Sequence, residues 1–463
     1  MIIITLLAYL AILVSGALTT AADAPELSPI MAPSCDKARL DNLVLSNTIN
    51  MHYGLNGTHL ATVTLDLDFP SVLLEQIGHI SAVQCRNHSV TVLFDSPDVF
   101  ERAKAEWPQD KDFILVTNHQ GNCDVENERG IFLANGLNWD NATMKVVANA
   151  ERKDVHSAAS TLEVDFSRLV ADHPSKRDIT FHKTGLNIAG DVSLPHDMKI
   201  FSVDPSFTAT ANRAHLSDNV TFSGYMKYHI HNHELESLYF DLDAALTADL
   251  GLTFDFAAPW DRNLTFSPDA LQLAPINIPK ILQLGPSLRW AIGVDVGAEA
   301  ALSVGADVWA QIPDGRLHLD LVDTGASHAE GWTPQHDIKL GQIAQKTTVR
   351  ASPFVGFLVE LALRILGGAL DLSGGFTAEI MFVNELSRTK VLNAAPEAGP
   401  TSLVVIPLDS AWNRTGIAAR DVECASGLEH HTAFDFSVSA FLTEKWDKTL
   451  YGFETGVSDT CYT

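Results

Sequence analysis

Residues 288–312 read LRWAIGVDVGAEAALSVGADVWAQI, and every even-numbered position among them is apolar, from Leu288, Trp290 and Ile292 through Val308, Ala310 and Ile312. The odd positions carry Arg289, Asp295, Glu299, Ser303, Asp307 and Gln311 among small residues, with Trp309 as the bulky exception. A period of two held this long means β-structure with one dry face and one wet face. Asp314-Gly315 follows, the dipeptide a two-residue type I′ hairpin favours because both central residues need positive φ. Such a turn sets Ile312 against Leu317, Ala310 against Leu319 and Val308 against Leu321, apolar against apolar; a slip by one residue would bring the polar set opposite. The uninterrupted parity excludes a two- or four-residue hairpin inside the run. What remains is one strand of roughly 80 Å at about 3.3 Å per residue, a bent strand serving two sheets, or two strands joined by a three-residue loop. Strands rarely exceed ~10 residues, which favours a bent or bulged ribbon with Gly293, Gly297 and Gly305 as its bending points.

A second run behaves alike. Leu238, Phe240, Leu242, Ala244, Leu246, Ala248, Leu250, Leu252, Phe254 and Phe256 alternate with a set that includes Tyr239, Asp241, Asp243, Asp249 and Asp255. Acidic residues recur on the wet side of both runs, where they keep long strands soluble and discourage edge-to-edge pairing.

The chain has 463 residues, with 57 acidic against 31 basic side chains and a net charge of -26. Nucleic acid and anionic membranes need clustered Lys and Arg, and the basic groupings Arg152-Lys153 and Lys176-Arg177 are short, so no nucleic-acid partner is expected. A hydrophobic content of 46% argues for folded structure. Residues 1–21 read as a secretory signal peptide: an apolar stretch from Met1 to Val14, then small residues up to a cleavage point between Ala21 and Ala24. The apolar core is shorter than the ~20 residues of a spanning helix, no later segment reaches that length, and residues 458–463 lack the tail of a lipid anchor, so release from the cell is expected. Acceptor tripeptides for N-glycosylation stand at Asn56, Asn87, Asn141, Asn219, Asn263 and Asn413. In an oxidising compartment the five cysteines should mostly pair; proximity in sequence suggests Cys85 with Cys123 and Cys424 with Cys461, leaving Cys35 free or joined to another molecule.

The expected fold class is mainly β with minor α. A small α+β, β-sandwich-like domain over 35–169 carries one good helix signal, with Ser96 as N-cap, Pro97 at the first helical position, Val99, Phe100 and Ala103 as the apolar stripe, and Pro108 to end it. Residues 170–223 show weak strand signals and read as a connector that donates edge strands. A larger domain of long, bent antiparallel strands covers 224–392 and includes the proline-rich stretch 273–286, too rich in proline for helix or central strand. Residues 354–366 are apolar almost throughout and fit a buried strand or a buried helix; Gly367-Gly368 and Gly374-Gly375 read as turns that favour strands. A Pro/Gly/Ala-rich linker then opens a disulfide-closed tail over 393–463.

The block LGPSLRW at 284–290, DGRLHLDLVD at 314–323, GWTP at 331–334 and LGGALDLSGG at 366–375 resembles the second module of secreted proteins of filamentous fungi, a domain of unknown function. Residues 70–75 (PSVLLE) and 83–85 (VQC) resemble the uncharacterised module that commonly precedes it. The resemblance implies secretion and β-architecture and brings no activity with it.

His229, His231 and His233 are the metal candidates, at i, i+2 and i+4 of a strand, where two imidazoles so spaced can share a zinc ion. Three rings along an extended strand span too far for one ion, and Glu234 and Glu236 fall on the other face, so a solvated strand face competes with that reading. His430-His431 is a weaker pair. Asp66 with Asp68, and Asp241 with Asp243, share faces of their strands and are the visible candidates for the carboxylate pair of glycoside hydrolysis, against the plainer reading of a hydrated face. Residues 325–329 (GASHA) fail the serine-elbow pattern at the last position, and there is no zinc-protease helix, phosphate loop or dinucleotide fingerprint, so no cofactor is expected. The expectation is a secreted glycoprotein that is not an enzyme and binds a glycan or cell-wall component. The alternatives are a secreted carbohydrate-active enzyme with a carboxylate pair and a carrier of apolar ligands inside curled strands.

Overall fold

The computed structural model describes residues 27–32, 35–55, 58–118, 123, 127–166, 186–267, 271–272, 276–340, 348–388, 428–442 and 446–462. The signal segment, Asn56, Asn413 and Cys424 lie outside the described residues. The fold is mainly β: two open sheets of 16 and 8 strands, with two α-helices, Pro97–Glu106 and Val155–Ala158, among the described residues.

Alternation controls the larger part of the molecule. Val296 is 0% and Val308 1% exposed, and the even-numbered apolar residues around both are buried in one core. The run divides, however, into strands Leu282–Ala298 and Leu302–Asp320, joined by the three residues 299–301 and belonging to different sheets. A three-residue link keeps parity, so the same even-numbered positions face the interior from both sides. Bending at Gly293 is therefore not needed, and Gly293 serves another purpose: the Phe354 ring of the neighbouring strand lies where its Cβ would be.

Asp314-Gly315 is not a hairpin turn. Strand Leu302–Asp320 runs through it, and both halves pair with Glu234–Phe256, Ile312 opposite Leu246 and Leu317 opposite Leu242. Between these pairs the strand carries one extra residue, a bulge at Pro313-Asp314, which switches the buried positions from even to odd. Proline, with no N–H for the ladder, suits such a point. The parity change attributed to a turn is thus the work of a bulge.

The first sheet runs in the order His328–Glu330, Leu302–Asp320, Glu234–Phe256, Phe207–His229, Ala159–Asp165, Thr58–Leu73, Phe113–Thr117, Gly130–Asp140, Lys145–Lys153, Ser89–Phe94, Ile80–Arg86. All its pairings are antiparallel except Thr58–Leu73 with Phe113–Thr117, which is parallel. Ala159–Asp165 pairs on one side with Thr58–Leu73 and on the other with Phe207–His229, so hydrogen bonding continues from the N-terminal unit into the long strands. The second sheet runs Trp260–Phe266, Leu282–Ala298, Val349–Ile365, Leu370–Arg388, Leu428–Leu442, Trp446–Tyr462. Its inner face packs on the long strands of the first, and Trp332 joins the same core, edge-on to Phe376 and stacked on Phe436.

The N-terminal unit has its own core. Helix Pro97–Glu106 begins and ends as its prolines require, although Ser96 accepts the first turn through its backbone oxygen and makes no side-chain cap. Val99, Phe100 and Ala103 bury its apolar stripe beside Phe94, Trp107 and Phe113. The disulfide Cys85–Cys123 closes within this core.

Several readings are corrected. The connector 170–223 contains most of Phe207–His229, a 23-residue strand flanked on both sides, with Leu186–Ser193 and Met198–Val203 as its short edge partners. Its inward residues are mainly Ala209, Ala211, Ala214 and Leu216, and a bulge between Ala211 and Arg213 breaks their parity, which hides the pattern. Residues 354–365 fall in strand Val349–Ile365, buried on both faces over most of its length, and Leu366 opens the turn beyond it. The turn that follows uses Leu366, Gly367 and Gly368, all at positive φ, but Gly374-Gly375 lies inside strand Leu370–Arg388, where Gly375 lets the Val359 carbonyl approach. Pro286 lies within Leu282–Ala298, at the gap between the short flanking strands Leu271–Gln272 and Ile276–Ile278. The expected tail supplies two full strands, Leu428–Leu442 and Trp446–Tyr462. Cys461 is disulfide-bonded, and Cys35 is a free thiol.

Candidate functional site

The three candidate histidines do not share a strand face. Phe207–His229 ends at His229, residues 230–233 form the turn into Glu234–Phe256, and His233 takes φ 54°. Each ring therefore finds its own partner: His229 hydrogen-bonds Glu236, His231 lies 3.4 Å from Asp68, and His233 Nδ1 is 3.2 Å from the Tyr228 hydroxyl while its ring stacks on His156. No cluster of three metal-ligating side chains occurs among the described residues. Lys227 and His229 both hydrogen-bond Glu236 and hold its carboxyl below the usual range, in that order of effect. His430 hydrogen-bonds Asn384 at 2.7 Å, and His431 is buried.

Outward-facing positions of four adjacent strands build a more organised feature. Tyr225 and Tyr239 are opposite one another in register, ring centroids 5.8 Å apart. Tyr239 and His318 follow at 5.3 Å, and His318 and His328, again in register, at 5.3 Å. Successive ring planes differ by 32°, 38° and 32°, so the rings stand as a fan across the sheet. Burial first, and the Glu163 carboxylate second, raise the Tyr225 phenol above its usual range and keep it a neutral donor.

Beside this row is a groove of about 280 Å³ lined by Thr221, Ser223, Asp241, Asp243, Arg316, His318, His328 and Glu330. His318 Nδ1 donates to Asp241 at 2.7 Å, which keeps its Nε2 for another partner, and His328 Nδ1 donates to the Ala326 carbonyl at 2.9 Å while its Nε2 lies 4.0 Å from Glu330 Oε1. Arg316 faces Asp243 on one neighbouring strand and Glu330 on the other, and its guanidinium bonds Asp314 at 2.9 Å. Carboxylate acceptors, a guanidinium and imidazole edges thus converge on one concavity. Such a set can hold a polyhydroxylated ligand by many hydrogen bonds.

Of the two carboxylate pairs named from sequence, Asp241 and Asp243 enter this groove, while Asp66 accepts from the Thr48 hydroxyl at 2.6 Å and Asp68 meets His231. Arg316, His318, His328, Glu330 and the tyrosine row were not foreseen. Their signal was the alternation of Arg316, His318 and Asp320, which becomes informative only with the correct cross-strand register. Asn87 and Asn141 lie exposed at turns, Asn263 exposed on strand Trp260–Phe266, and Asn219 exposed mid-strand beside the groove.

A cavity between the sheets, lined by Leu246, Trp290, Ile312 and Phe357 among others, is about 10 Å³, room for about one water.

These features define a two-layer antiparallel β protein with an acidic, ring-edged groove on an outer sheet face. Residues 64–163, within the N-terminal unit, match a family described as a domain of unknown function (DUF7029). No curated protein and no solved structure matches the chain.

Proposed function

We propose that this chain is an exported glycoprotein of two tandem modules, of fungal origin, that binds a glycan of the cell surface or wall without transforming it. The observation that carries the reading is the groove: a concavity on an exposed sheet face with several convergent polar groups is where a ligand site is expected. Its volume, near the lower end of the roughly 300–1,000 Å³ typical of ligand sites, suits a short stretch of sugar rings. Export is supported by the leader-like N-terminus and by a formed disulfide. Catalysis by a carboxylate pair is less well supported. Asp241 accepts a hydrogen bond from His318, and the carboxyl raised to about 7, Glu379, belongs to the other sheet.

Retention on chitin, β-glucan and mannan tests the reading. Protein carrying no N-linked glycans should be held by one of the three, and Asp243→Ala with His318→Ala should weaken that retention. Passage of the glycan-free protein through all three would overturn it.

A further inference from the structure

Asn219 precedes Thr221 by two residues and Ser223 by four on the outward face of strand Phe207–His229, and Thr221 and Ser223 line the groove. Same-face neighbours along a strand are about 7 Å apart, so an attachment at Asn219 begins one step from the groove mouth. The floor between them is low. Asn219 is opposite Ala245 and Thr221 is opposite Asp243, while bulk returns only at the facing pair Tyr225 and Tyr239. Beyond Asp243, the register leads to Arg316 and then Glu330. Asn219 is exposed and opens the acceptor tripeptide Asn219-Val220-Thr221.

We propose that the groove is the bed of the chain's own N-linked glycan on Asn219. Asn219 Nδ2 bonds C1 of the first sugar, its proton leaving with the diphosphate of a lipid-linked oligosaccharide donor. The first N-acetylhexosamine lies over Ala245 and Thr221, and the following sugar hydroxyls reach Asp243, Arg316 and Glu330. The inference rests on reading the groove as a carbohydrate site and adds its regulation: a glycan on Asn219 closes the groove to other glycans, and an unmodified Asn219 leaves it open.

The test uses the full chain from a glycosylating eukaryotic host. Peptide mass spectrometry should find Asn219 occupied, and an endoglycosidase should release its glycan from native protein about tenfold more slowly than from unfolded protein, equivalent to about 1.4 kcal/mol. Asp243→Ala with Arg316→Ala, both at exposed side chains, should bring native release close to the unfolded rate. A vacant Asn219, equal release from native and unfolded protein, or persistent protection in the double variant would each overturn the proposal. Asn219→Gln should retain soluble glycan better than the wild type. If neither protein retains glycan while release stays slow and groove-dependent, the binding function fails and the glycan bed stands.

Discussion

The backbone of Gly315 lies directly beneath the indole of Trp332: a Cβ added to Gly315 would stand 2.8 Å from Trp332 Cδ2 and 2.9 Å from Cε2 and Cε3. Trp332 has no room to retreat, being fully buried against Phe376 and Phe436 with Nε1 donating to the Arg316 carbonyl at 2.7 Å. The glycine of the Asp-Gly pair is thus required by close approach rather than by positive φ. Gly315→Ala should cost about 1–3 kcal/mol by overpacking, and Trp332→Ala about 3–5 kcal/mol through the cavity it leaves. Urea denaturation followed by tryptophan fluorescence measures both; a neutral Gly315→Ala would contradict the packing described.

The same position shows how far the sequence could be read. Periodicity gave the inward faces of Leu282–Ala298, Glu234–Phe256 and Leu302–Asp320, because their inward residues are large and their parity holds over many positions. It could not distinguish a hairpin from a bulge at 313–315, since both change parity by one, and partners across the sheet followed that choice. Phe207–His229 was obscured by inward alanines and a bulge. Leu428–Leu442 was overlooked although Phe434, Phe436, Val438 and Ala440 alternate cleanly, because a linker and a cysteine pair suggested a tail. The groove escaped for the physical reason that it is made across strands. Asp241 and Asp243 were visible, but His318, His328 and Glu330 join them only through register.

Arg129 and Glu75 form a buried pair in the segment matched to the family, side chains 1% and 7% exposed. Arg129 Nε and Nη2 bond Glu75 Oε1 at 3.0 and 2.7 Å, Nη2 also reaches the Ile30 and His52 carbonyls at 3.1 Å, and the guanidinium covers the Tyr53 ring. The residue thereby ties the first described strand, Ser28–Ile30, to Ser46–Leu55. Arg129→Met should cost about 3–5 kcal/mol because it strands the Glu75 charge, whereas Arg129→Met with Glu75→Leu should recover much of the loss. Equilibrium denaturation of the two variants decides, and equal losses would show that packing, not charge, dominates.

Cys85 and Cys123 are buried in the N-terminal core and enclose a loop of sequence separation 38. Closing a loop of that size restrains the unfolded chain by about 2–4 kcal/mol. Cys85→Ser with Cys123→Ser should lower stability by that amount. Because the sulfurs are shielded, thiol reagents should reduce the native bond only as fast as the unit opens, which mass-resolved alkylation over time would reveal; immediate reduction would contradict the burial.

Two half-buried groups, His52 and Glu379, give opposite pH dependences within overlapping windows. Burial, then His59 and Arg129, lower the His52 imidazole to about 4, below its usual 6.5. The unfolded chain therefore takes up the proton first, so this contribution is complete above pH 6.5 and is lost as pH falls toward 4. His336, face to face with Phe434 at 3.9 Å, is lowered by burial and acts in the same sense. Glu379 is raised to about 7 by burial and by the Asp435 carboxylate on the next strand. Its contribution is complete below pH 4.5 and is lost as pH rises through 7, because the unfolded chain ionises first. Glu379 keeps partial exposure, so solvent reduces the effect to about 1–2 kcal/mol. Glu379→Gln should therefore stabilise the protein at pH 8 by about that much and leave it unchanged at pH 4. Thermal unfolding at the two pH values measures the difference, and equal shifts at both would show that the fold does not raise the Glu379 carboxyl.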